Sequence, residues 1–125
     1  MINPRVMDAY MTEARLRTLA EALADLGYEN DLLLETGGKN EIRIYREASD
    51  ETFVVDYQIL FDDDDSDEDE LRAVGFCLRL HRLDGRRLEG SYGSFAGSVI
   101  AERQEGLALD AWDTSSWIRE QIEKE

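Results

Sequence analysis

Two long runs of alternating apolar and polar side chains, 51–61 and 71–83, are separated by nine residues that cannot be buried. The first run puts Phe53, Val55, Tyr57, Ile59 and Phe61 on one side and Thr52, Val54, Asp56, Gln58 and Leu60 on the other. The second puts Val74, Phe76, Leu78 and Leu80 on its apolar side, opposite Ala73, Gly75, Cys77, Arg79 and His81. A period of two marks a strand. The separating run, Asp62-Asp63-Asp64-Asp65-Ser66-Asp67-Glu68-Asp69-Glu70, holds eight mutually repelling carboxylates and no apolar member, so it is a solvated connection. Strands joined this way pair most simply as antiparallel neighbours.

The flanking sequence extends that sheet and adds helices. Asn3 is a good N-cap, Pro4 suits the first helical position and Gly27 a left-handed stop, so the spacing predicts a helix between them. On a 100° wheel Leu16, Leu19, Ala20, Leu23 and Leu26 form one stripe, while Met7, Tyr10, Met11 and Ala14 fall on another side. Either the helix breaks near Thr12, or its first turns pack against another part of the core or a second copy. Met7, Tyr10 and Met11 are thus candidate homodimer contacts.

After Gly27 the period falls to two. A short strand is expected over Asp31 to Thr36, a hairpin turn at 37–40, and a strand over Glu41 to Arg46 with Ile42 and Ile44 inward. Gly90, Gly93 and Gly97 weaken any helix near 94–104, so a strand through about Gln104 is preferred there. A last helix is expected from about Asp113, with Asp113 or Thr114 as cap, to Lys124. The result is a single α+β domain over 1–125: an N-terminal helix, an antiparallel meander of four to five strands, and a C-terminal helix, with a mobile acidic loop at 62–70.

Charge narrows the chemistry. With 29 Asp and Glu against 14 Lys and Arg, the net charge is −15, which excludes an ordinary duplex-binding groove because such a groove needs surplus cations. The single cysteine, Cys77, rules out an intramolecular disulfide. The first residues lack the apolar run of a secretion signal, and no stretch reaches the length of a membrane span, so a soluble cytoplasmic protein is expected.

No reaction is spelled out. Cys77 and His81 sit two strand repeats apart on one side, roughly 13 Å along the strand, too far for a nucleophile and its base or for shared metal ligation. They read as a small residue and a surface residue. In no register does the acidic run place a glycine at position 6 and a glutamate at position 12 of a calcium loop, and no Gly-Lys-Ser/Thr follows the glycines at 90–97. No catalytic residue, metal site or cofactor is expected. Arg79, Arg82, Arg86 and Arg87 read as internal partners for nearby acids, and Trp112 and Trp117 as interface anchors or core side chains.

The acidic run is either a solvated insertion or a contact surface for a basic protein. Asp62, Asp63, Asp64, Asp65, Asp67, Glu68, Asp69 and Glu70 are its candidate binding residues, because closely spaced carboxylates approximate the phosphates of a nucleic acid. In size, acidity and cysteine poverty the whole chain resembles the nucleic-acid-mimicking inhibitors of the anti-CRISPR and anti-restriction type. The resemblance rests on composition rather than a motif, and it carries over no residue. It implies a non-enzymatic inhibitor that blocks the basic surface of a nucleic-acid-handling protein. A second resemblance, to class I secretion chaperones and toxin-immunity proteins, implies a protein partner held by a dimer.

Overall fold

Helix α1 (Pro4–Asp25) ends where Gly27 takes a φ of 95°. The Tyr28 N–H donates to the Leu23 carbonyl at 3.1 Å and the Gly27 N–H to that of Ala24 at 2.9 Å. A residue without Cβ is needed at that left-handed position, and the two bonds satisfy carbonyls the helix end would leave open. The computed structural model describes residues 4–34, 40–46, 51–61, 73–84 and 98–125, with side chains at 12–34, 40–46, 51–61, 73–83 and 99–125.

Five strands follow: β1 (Glu29–Leu33), β2 (Glu41–Tyr45), β3 (Glu51–Phe61), β4 (Ala73–Asp84) and β5 (Ser98–Glu105). They pair antiparallel in sequence order, the meander expected from the alternation. Helix α2 (Ala111–Glu123) closes the chain. Both helices cover one sheet face. Leu16, Leu19, Ala20 and Leu23 of α1 and Ile118 and Ile122 of α2 pack on Ile42, Ile44, Phe53, Val55, Leu78 and Leu80. Each such aliphatic side chain contributes about 1.5–3 kcal/mol on burial. Arg15 and Thr114 both reach Glu105 at the end of β5, while Tyr28 bonds Glu123 near the end of α2, so the helices run side by side in one direction.

Several local expectations are corrected. α1 is unbroken through Thr12, which removes the alternative of a break there. β1 begins at Glu29, because the chain enters the sheet directly from the bonded Gly27–Tyr28 turn. α2 starts at Ala111 and its cap is Asp110, whose carboxylate accepts the Asp113 N–H at 3.0 Å; a cap must precede the first helical residue, which Asp113 and Thr114 do not.

Val74, expected inward, is 51% exposed. Leu60 pairs with Gly75 and Phe61 with Ala73, so Val74 is the extra residue of a β-bulge and the alternation slips there. Ile100 is a second extra residue, between the pairs Leu80–Ala101 and His81–Val99.

The sheet's other face is less wet than the alternation implies. Glu41, Arg43, Tyr45, Thr52, Val54, His81 and Leu83 are all buried there. Pairing makes this tolerable for polar groups: Tyr45 donates to Asp31 at 2.7 Å, and Arg43 Nε lies 3.8 Å from Glu41 Oε2.

Candidate functional site

The acidic residues Asp62 to Glu70 lie outside the described residues, as do Arg86 and Arg87 and the side chains of Met7, Tyr10 and Met11. The point of departure of the acidic run is nevertheless fixed. Phe61 and Ala73 are paired, so the 62–72 connection leaves and rejoins the sheet at the same end of β3 and β4. A Cβ added to Gly75 would fall 2.5 Å from the Glu105 carbonyl oxygen, so β4 begins hard against the junction of β5 with α2. Val74, Leu107 and Trp112, 51%, 47% and 72% exposed, belong to this same end of the molecule. Val99 is the only other large apolar residue this exposed among the described residues. Trp117, by contrast, packs partly into the core.

Beneath that end lies a polar hub that sequence reasoning did not single out. Glu105 Oε1 accepts from Tyr57 at 2.7 Å and Arg15 Nη2 at 3.2 Å, while Oε2 accepts from Thr114 at 2.5 Å and from Arg103 Nη2 at 2.7 Å. Arg15 also donates to the Leu107 carbonyl at 3.0 Å, and its guanidinium stands 4.2 Å from the centre of the Phe76 ring. Burial pushes the Glu105 carboxyl up, but the bonds from Thr114, Tyr57, Arg103 and Arg15 outweigh it and leave the pKa lowered. Burial, then the charge and acceptance of Glu105, push the Tyr57 hydroxyl well up. One carboxylate thus ties α1, β3, β5 and α2 together. Glu105 is legible only as a polar residue at a position whose partner, Phe76, faces the core.

On the opposite face, Asp56 accepts from Arg79 Nε at 3.1 Å and lies 2.9 Å from His81 Nε2. His81 is 7% exposed, which corrects its reading as a surface residue: cross-strand Asp56 gives the ring a buried partner. Burial raises the Asp56 pKa, but the hydrogen bond and charge of His81, then Arg79, reverse this and hold it below its ordinary value. Burial and Glu102 push the Cys77 thiol up, toward the less reactive neutral form. Among the described residues, no three His, Cys, Asp or Glu side chains are placed to hold a metal ion.

The basic side chains are largely consumed inside the fold. Arg15, Arg17, Arg43, Arg46, Arg79, Arg82, Arg103 and Lys124 each lie within 3.8 Å of a carboxylate. Arg79 and Arg82 are thereby internal partners for acids, as expected, with Arg82 bridging Glu51 and Glu125. Among the described cations, Arg119 alone has no such pair. Among the described residues, no basic groove can be assembled from what remains.

A shallow groove of about 440 Å³ lies beside α2, lined by Arg103 of β5 and by Asp113, Ser116, Trp117, Arg119, Glu120 and Glu123. No helix among the described residues is long and apolar enough to cross a membrane. No family model matches the chain, and neither the curated proteins nor the solved structures contain a match to it. Function must therefore be argued from geometry and charge.

Proposed function

We propose that this chain is a non-enzymatic inhibitor, acting in the cytoplasm, that offers carboxylates to the basic surface of a nucleic-acid-handling protein in place of the nucleic acid. The observation that carries this reading is the spending of cations. Among the described side chains every Arg and Lys except exposed Arg119 lies within 4 Å of a carboxylate, which leaves little basic counterweight there to the net charge of −15. Asp62 to Glu70 concentrate eight of the acids at the end of the β3–β4 hairpin. Exposed Trp112, Leu107 and Val74 at that end supply apolar contact beside the charge, the composition of an interface core with a polar rim.

The test is competition. The chain, immobilised, is exposed to lysate of its source, and each captured protein is purified and assayed for duplex binding with and without the chain. The reading requires that the chain displace the duplex, that raising salt from 50 to 200 mM weaken the complex by about tenfold or more, and that replacing Asp62 to Asp65 with Asn remove most of the affinity. A captured partner whose nucleic-acid binding is untouched, or an Asn variant that inhibits as well as the parent, overturns it.

A further inference from the structure

We propose that the free edge of β5 and the groove between it and α2 receive an extended basic segment of the partner as an added strand. This rests on the reading of the partner as a basic protein and names how it is held. β5 is last in the sheet order, and among the described residues nothing pairs with its outer edge. Its alternate N–H and C=O groups therefore point outward, the template that strand addition uses. The bulge at Ile100 confines the regular edge to Ala101–Glu105. That stretch runs beside the 440 Å³ groove, a volume within the range of about 300–1,000 Å³ typical of ligand clefts.

An added strand would alternate its side chains between the two sheet faces. Those on the helix side enter the groove and meet Trp117, with Asp113, Glu120 and Glu123 around it. Those on the other side meet Glu102, which is exposed.

The groove is net acidic, with Asp113, Glu120 and Glu123 against Arg103 and exposed Arg119, and Glu102 adds an acid on the other side, so a basic segment is favoured over an acidic one. Arg103 does not counter this, because its guanidinium is held by Glu105 and by Asp113 at 2.7 Å and lies 5.3 Å from the centre of the Trp117 ring. The Glu120–Lys124 pair is exposed on both sides, and such pairs exchange partners at little cost. Ser116 Oγ, which lacks a hydrogen-bond partner among the described residues, also lines this groove.

The probe is a short capped peptide of alternating Lys and Thr, which favours the extended state, set against a peptide of equal charge with Pro in place of each Thr, which cannot form the strand ladder. The inference requires amide shifts and slowed hydrogen exchange over 101–105, a shift of the Trp117 indole N–H, and binding of the Pro peptide about tenfold weaker or worse. It also requires that Glu102→Lys with Glu120→Lys weaken Lys-Thr binding by about tenfold, while Asn at 62–65 leaves the peptide shifts over 101–105 in place. Both substituted positions are exposed, so the fold is retained, and unchanged far-field amide shifts check this. Equal binding of the two peptides, or shifts that avoid β5, overturns the strand-addition mode; inhibition lost through Asn at 62–65 would still stand as a separate result. If the chain binds neither peptide yet competes with duplex on its partner, the edge is not the site. If it fails that competition as well, the basic-partner reading fails with it.

Discussion

Glu105→Ala is expected to be among the costliest single substitutions in this domain. The change leaves Arg15, whose side chain is 4% exposed, with the Leu107 carbonyl as its one remaining described hydrogen-bond acceptor, and it strips Tyr57 and Thr114 of theirs. Removing one partner of a buried ion pair costs about 3–5 kcal/mol, because the stranded charge stays out of water. Against a total stability of about 5–15 kcal/mol, that is a large part of the whole.

Glu13→Ala is the control. It breaks the Arg17–Glu13 pair, whose side chains are 59% and 42% exposed, and exposed helix pairs of this spacing are worth about 0.3–0.5 kcal/mol. Equilibrium urea unfolding at pH 7 measures both, and with a slope of about 2 kcal/mol per molar the Glu105 variant should lose about 2 M in midpoint. Replacing the pair together, Glu105→Leu with Arg15→Met, should recover the part due to the stranded Arg15 charge and leave the part due to the Tyr57 and Thr114 hydroxyls without an acceptor.

The pH dependence follows from the same carboxylate. Its pKa is lowered in the fold relative to about 4.3 in the unfolded chain, so its stabilisation is complete above the unfolded value and is lost as the pH falls through the folded one. Glu105→Gln should therefore flatten the loss of stability below about pH 4.5, leaving the part due to Asp56, whose pKa is lowered in the same sense. A Glu105→Ala cost within about 1 kcal/mol of the Glu13 control, or a Gln variant with the parent's acid slope, would refute the account of Glu105 as the tie between helices and sheet.

Two further substitutions test local geometry. Gly75→Ala puts a Cβ 2.5 Å from the Glu105 carbonyl oxygen and should cost about 1–3 kcal/mol in thermal unfolding, whereas Gly106→Ala meets nothing within 4 Å and should be nearly silent. Asp110→Ala removes the acceptor of the Asp113 N–H and should cost about 1 kcal/mol by the same measurement, with Asp110→Ser restoring most of it.

The architecture was readable because the apolar period of two in β2, β3 and β4 and the stripe Leu16–Leu19–Ala20–Leu23 depend on local spacing alone. The misreadings of Val74 and His81 share one cause. Val74 is displaced by a bulge, and a bulge is an agreement between two strands about register that neither sequence declares by itself. His81 looked like a surface side chain because the residue that makes its burial tolerable, Asp56, is 25 positions away. Glu105 was invisible for the same reason on a larger scale: its donors come from positions 15, 57, 103 and 114. The acidic run was plain in the sequence because its meaning, that it cannot be buried, needs no partner.

That separation decides what the charge can be used for. Most cations of the described parts sit in pairs within the fold: Arg15 on Glu105 and Arg103 on Asp113 join helix to sheet, Arg82 reaches Glu125 after α2, and Arg79 on Asp56 and Arg82 on Glu51 link β3 to β4. Those pairs are locally close to neutral and contribute little to the field felt by an approaching molecule. Eight acids follow one another at 62–70, and of the arginines after them Arg79 and Arg82 already have partners elsewhere. The described packing and the proposed recognition therefore rest on different residues. Asn at 62–65 changes the field and leaves the pairs that hold the domain, while Ala at 105 breaks those pairs and leaves the acidic run. A loss of inhibition in the first variant, which retains its stability, accordingly speaks to recognition and not to folding.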